Sequence, residues 1–205
     1  MAKTTFAEEI YLRALTGKVV GEHILSVYNK VAVISVKNTI CSAISAAAEA
    51  AFVMNTSGRA AHFIVEHGTA DEVVKQIVKF DPHAVILMFG GETPIEDTKE
   101  LFVETLKEIS RANLEVDIII HVRIFAAGGL QEAVKDKDIL EYLKDSDVYV
   151  YTVNFDEGLI LLNEIFFLDD GEIKLEKISE IPVTVEHADL LNRSLRDKTV
   201  DWKDL

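Results

Sequence analysis

A chain of 205 residues, 49% apolar and 27% charged, is long enough for one well-buried core and too apolar for a disordered segment. Its formal net charge of −14 argues against nucleic-acid backbones and anionic membrane surfaces as partners, because both demand clustered Lys and Arg. A single cysteine, Cys41, excludes an intramolecular disulfide, and the first eleven residues, with Glu8 and Glu9, lack the apolar core of a secretory signal, so a cytoplasmic protein is expected.

Strand and helix patterns alternate along the chain. Residues 31–36 (VAVISV) are a β-branched run, as expected of a strand buried on both faces. Asn38 or Thr39 can cap the helix that follows, where Ile40, Ile44 and Ala47/Ala48 recur at helical spacing. Cys41 falls on that face and is expected to be a buried, inert thiol. Residues 62–66 (HFIVE) form the second strand. Thr69 with Glu72 then matches a capping box for a helix whose apolar stripe is Val73, Val74, Ile77, Val78 and Phe80.

Asp81-Pro82 breaks this helix, and residues 84–89 (AVILMF) form the third strand. That run is far shorter than the ~18 apolar residues a membrane span needs. A loop at Gly90-Gly91-Glu92-Thr93-Pro94 leads into a long amphipathic helix over residues 95–112. Residues 116–121 (VDIIIH) form the fourth strand, residues 130–143 a helical stretch after Gly128-Gly129, and residues 148–153 the fifth strand. Two apolar-rich runs, 159–168 and 172–178, flank Asp169-Asp170-Gly171, a hairpin signal. Residues 1–185 read as one α/β domain and residues 186–205 as a C-terminal helix or arm carrying the lone Trp202.

Strands alternating with helices of ten or more residues imply right-handed crossovers. The expected fold is three-layer α/β: a mainly parallel sheet, helices on both faces, and a C-terminal antiparallel hairpin at one edge. Ligands of such sheets settle outside the carboxyl ends of the strands, near the switch in strand order. That rule selects four loops: Lys37-Asn38-Thr39, Glu66-His67-Gly68-Thr69, Gly90-Gly91-Glu92-Thr93 and His121-Val122-Arg123.

Lys37, Asn38, Thr39, Gly90, Gly91, Glu92 and Arg123 are therefore candidate ligand contacts. Glu66, His67 and His121 are candidate catalytic groups, a histidine being suited to general-base work near its ordinary pKa of about 6.5. Each also has a plain structural reading: a turn glycine pair, a solvated Lys37, helix-start residues at Glu66 and His67, a hydrogen-bonded half-buried His121. No Cys pair, His-Glu-x-x-His or EF-hand spacing occurs, and no metal or other cofactor is expected. There is no Gly-x-Ser-x-Gly elbow for hydrolase chemistry.

This order of elements, with Glu66 after the second strand, His121 at the end of the fourth and the final hairpin, resembles a RecA-type ATPase core, more narrowly the KaiC-like group. The resemblance spans roughly residues 31–181 and rests on layout. It implies that Glu66 would prepare an attacking water. The family's phosphate loop is absent, since Ser35-Val36-Lys37-Asn38-Thr39 keeps a Lys and a Thr without a glycine, and Gly90 stands where the magnesium-binding Asp would be. The resemblance therefore implies a degenerate member without ATPase activity. The alternative is a flavodoxin-like sheet, which here lacks a phosphate-accepting Asp after Val36 and a cobalamin-ligating Asp-x-His-x-x-Gly.

Three roles follow as expectations. The first is a non-catalytic regulatory or scaffolding protein that self-associates or binds a protein partner. The second is a small-molecule-binding protein or enzyme at the strand ends, and the third an interaction module using the tail from Asp189 to Leu205.

Overall fold

Thr5 and Glu8 close a reciprocal capping box: Thr5 accepts from the Glu8 N–H at 3.2 Å while the Glu8 carboxylate accepts from the Thr5 N–H at 2.7 Å. This starts α1 (Phe6–Val19), which continues through a π turn (Val20–Ile24) and a 3-10 turn (Leu25–Val27). The computed structural model describes residues 4–168 and 171–194. After α1 come β1 (Lys30–Val36), α2 (Thr39–Asn55), β2 (Arg59–Val65), α3 (Ala70–Phe80), β3 (Ala84–Met88) and α4 (Ile95–Arg111). Then follow β4 (Asp117–Ile120), α5 (Val122–Ala126), α6 (Gly129–Ala133), α7 (Lys137–Lys144), β5 (Val148–Asn154), β6 (Leu159–Phe167), β7 (Ile173–Pro182) and α8 (Val185–Ser194).

The strands form one sheet in the order β2-β1-β3-β4-β5-β6-β7. β1 to β5 run parallel, and β6 and β7 add an antiparallel edge, with a bulge between Leu162 and Asn163. Alternate side chains along each strand enter opposite layers. Ala32, Ile34, Val85, Leu87, Ile118 and Ile120 meet α3, α4, α6 and α7. Val31, Val33, Ile86, Met88, Ile119 and Tyr151 meet α2 and the turns after α1. Leu12 of α1 and Leu190 and Leu191 of α8 close a third, smaller cluster.

Helix α1 lies on α2 at backbone distance. A Cβ on Gly17 would stand 2.2 Å from the Ile44 carbonyl oxygen, and one on Gly21 would stand 2.3 Å from that of Ala48. A four-residue step along α1 matches a four-residue step along α2, so the two helices run parallel. One turn before Gly17, Arg13 is therefore level with Ile40, in the first turn of α2 and next to Cys41.

Several local expectations are corrected. Thr69 does not cap α3; its hydroxyl donates to the Glu66 carbonyl at 2.8 Å and accepts from the Glu66 N–H at 2.9 Å, closing a turn of its own. The helical stretch at 130–143 is two helices, because Asp136 turns its side chain onto the N–H of Asp138 and begins α7 afresh. Of the segment read as a C-terminal helix or arm, the described part as far as Ser194 belongs to helix α8 and packs on α1: Arg193 pairs with Glu8 at 2.9 Å, and the Ser194 hydroxyl donates to Glu9 at 2.8 Å. Asp169, Asp170 and Trp202 lie outside the described residues. Among the described residues, no helix is long and apolar enough to cross a membrane.

Candidate functional site

The chain leaves β1 through α2 on one face of the sheet and leaves β3 through α4 on the other. The carboxyl ends of β1 and β3 therefore diverge, and the crevice between them is the topological switch point. Asn38 spans it. Its Oδ1 accepts from the Cys41 N–H at 2.7 Å and caps α2, while its Nδ2 donates to the Gly90 carbonyl and to the Thr93 hydroxyl, each at 3.2 Å.

The two glycines are needed here for contact as well as for turning. Gly91 has φ +78°, and a Cβ on it would fall 2.4 Å from the Asn38 Oδ1. A Cβ on Gly90 would fall 2.8 Å from the Cδ of Arg123, whose side chain lies along that main chain. Asn38, Gly90, Gly91, Thr93 and Arg123 thus form one contiguous group.

The remaining candidates are placed elsewhere. Lys37 and Glu66 pair with each other at 3.0 Å, both exposed, at the sheet edge formed by β2. His67 faces Glu104 of α4 at 3.6 Å, away from the crevice. Thr39 and Glu92 are exposed. His121 is buried, and its Nδ1 hydrogen-bonds the hydroxyl of Tyr151, which also lies 3.7 Å from the Met88 sulfur. Burial, then Arg13 and Arg123, hold His121 well below the usual histidine range, so it is neutral at pH 7. Cys41 is buried as expected, and burial pushes its thiol up to about 11.

Arg13 enters the site from outside the four loops. It is 6% exposed, and its guanidinium pairs with Glu9 of its own helix at 3.3 Å. Burial depresses its pKa, Glu9 opposes that, and Arg123 depresses it further. Arg123 is half-buried; its Nε is fully buried and has no hydrogen-bond partner among the described residues. Two sequence signals pointed to α1: the Thr5-x-x-Glu8 box and Gly17-x-x-x-Gly21. Arg13 follows from them only once α1 is known to lie on α2.

A concavity of about 430 Å³ lies at the opposite end of the sheet. It is lined by Glu115, Asp117, Asp145 and Asp147 together with Asn113 and Tyr142. It touches none of the candidate residues. No group of three or more His, Cys, Asp or Glu side chains placed to hold a metal occurs among the described residues.

A family model described as "Uncharacterized protein" matches residues 9–190, and the chain belongs to that family. A curated relative from Aquifex aeolicus (strain VF5), itself described as an uncharacterized protein, is 27% identical over 120 residues. The match covers 54% of this chain and 56% of that one, so the chain spans just over half the length of that relative. Among solved structures, an ABC transporter substrate-binding protein from Sphaerobacter thermophilus is similar over 82% of this chain and 64% of its own (13% identity, TM-score 0.47). A leucine-, isoleucine-, valine-, threonine- and alanine-binding protein from Brucella ovis is similar over 83% of this chain and 63% of its own (12% identity, TM-score 0.44).

Proposed function

We propose that this member of an uncharacterized family is a small-molecule-binding α/β domain whose ligand sits at the carboxyl ends of β1 and β3, against Asn38, Gly90, Gly91 and Arg123. The observation that supports it most directly is the Asn38 bridge, which joins the turn after β1 to the loop after β3 where the crossovers part. Ligand sites of doubly wound sheets lie at that point, and few polar groups fix a ligand's orientation there.

The strand order supports this reading over a RecA-like one. β2-β1-β3-β4-β5 is the flavodoxin-like order, with β1 between β2 and β3. The turn after β1 also has its Lys37 committed to Glu66, the residue that the RecA resemblance would assign to a water.

Binding is better supported than catalysis. The groups that could act as base or nucleophile are poorly placed for it: His67 faces α4, His121 is buried against Tyr151, and the Cys41 thiol, beside Asn38 and Gly90, is buried with a raised pKa.

Thermal unfolding of the full chain against a panel of metabolites tests the reading, since any ligand of the folded state stabilises it by RT ln(1 + [L]/Kd). A hit is expected whose shift disappears in Gly91→Val, because a side chain at Gly91 enters the space held by Asn38. A panel of hits that all persist in that variant would place the site elsewhere and sink the proposal.

A further inference from the structure

We infer that the occupant of the crevice is an oxyanion, a carboxylate or phosphoryl group, held between the guanidinium groups of Arg13 and Arg123. This rests on the binding reading above and names the chemistry of its ligand.

Three placements bring the two arginines into one region, near enough for each to feel the other's charge. The match of Gly17 to Ile44 and of Gly21 to Ala48 sets Arg13 level with Ile40, in the first turn of α2. Asn38, the cap of that same turn, donates to the Gly90 carbonyl. Gly90 in turn lies against the aliphatic stem of Arg123, where a Cβ would clash. Arg13 and Arg123 thus flank the crevice from its two walls, one on the α1 side and one on the α5 side.

The charges there do not balance. Among the described residues, the one carboxylate paired with either guanidinium is Glu9, which pairs with Arg13 and also receives hydrogen bonds from Thr4 and Ser194. Among the described residues no carboxylate pairs with Arg123. The other ionisable groups packed nearby, His121, Tyr151, Cys41 and His187, supply no negative charge at pH 7: burial raises the tyrosine and the thiol and lowers both histidines.

A buried, unpaired N–H donor costs free energy, and so do two like charges sharing one carboxylate. In a chain of formal net charge −14, an unmatched positive centre at a ligand-binding position is a feature that a bound anion would complete. The planar guanidinium fork matches carboxylate and phosphate alike, so both are named.

The test is thermal unfolding of the full chain at fixed ionic strength, with chloride replaced by inorganic phosphate in one arm and by acetate in the other. At least one anion is expected to raise Tm saturably, by about 5–10 °C when present at a hundred times its Kd. The responding arm identifies a phosphoryl or a carboxylate site. In Arg123→Gln that shift is expected to vanish, while Tm without added anion stays level or rises, because the repulsion of Arg13 and the buried unpaired Nε are both removed. Arg13→Gln is expected to lose the anion response as well.

The inference is overturned if neither anion gives a saturable shift, or if Arg123→Gln responds as the parent does. A neutral metabolite whose stabilisation is lost in Gly91→Val and kept in Arg123→Gln would preserve the crevice while overturning the oxyanion.

Discussion

Asn38 shows how much one side chain can settle. Its carbonyl oxygen and both amide hydrogens are used, on the first turn of α2 and on the two sides of the loop after β3. The sequence suggested a cap at Asn38 or Thr39, because Asn before an apolar helical stripe is a local signal. The bridge to Gly90 and Thr93 depends on residues fifty positions away, and no local pattern encodes it. His121 was legible as a hydrogen-bonded strand-end histidine, whereas its partner Tyr151 lies thirty residues further on. Arg13 was missed for a physical reason: an arginine on a helix reads as surface charge unless its burial is known.

His187 carries a consequence for pH. Burial, with Arg13 adding to it, lowers its pKa to about 4, and its Nε2 sits 3.0 Å from the Thr16 hydroxyl. The folded value lies below the ordinary value of about 6.5, so the unfolded chain takes up this proton first as pH falls. The contribution is present above pH ~6.5 and is lost between ~6.5 and ~4, amounting to about 3 kcal/mol. Urea unfolding at pH 7.0 and 4.5 should therefore show a smaller acid loss for His187→Gln than for the parent. Equal losses would mean that His187 titrates as it does in the unfolded chain.

At the scale of elements, the strands and long helices were readable because their cores are built from runs that allow one interpretation. Residues 84–88 are wholly buried, and the stripe of α4 is apolar at strict helical spacing. α1 was not read, because the face it buries consists of Leu12, Arg13, Thr16 and Gly17, which does not register as an apolar stripe. It packs instead by removing side chains, with Gly17 and Gly21 admitting the backbone of α2. The capping box proposed at Thr69 and Glu72 failed because the same hydroxyl had a better partner in the preceding turn.

The close approach of α1 makes a prediction. Gly17→Ala places a Cβ 2.2 Å from a carbonyl oxygen and must push α1 away from α2. Overpacking of this kind costs about 1–3 kcal/mol. The urea midpoint should fall accordingly, and the response to anions should weaken with it, because Arg13 rides on the displaced helix. A variant that loses stability and keeps its full anion response would separate α1 packing from the site.

Over the whole molecule, the doubly wound sheet and its antiparallel edge followed from the alternation of patterns and from the hairpin signal after residue 159. The strand order could not be read from those patterns, because five parallel strands with helical crossovers fit more than one winding. It is the order that decides which loops meet. Neighbouring positions for β1 and β3 bring Asn38, Gly90, Gly91 and Arg123 together, and an edge position for β2 leaves Glu66 and His67 outside. The −14 charge argued against nucleic-acid backbones and anionic membrane surfaces as partners. The average conceals a local excess of positive charge, since Arg13 and Arg123 lie 110 positions apart in sequence and meet only through the fold.

The oxyanion site is tested most directly by amide chemical-shift mapping of the isotopically labelled chain during titration with phosphate and with acetate at fixed ionic strength. Saturable changes are predicted at Asn38, Cys41, Gly90, Gly91 and Arg123 with at least one of the two anions. Changes confined to the concavity at Glu115, Asp117, Asp145 and Asp147, or no saturable change with either anion, would contradict it.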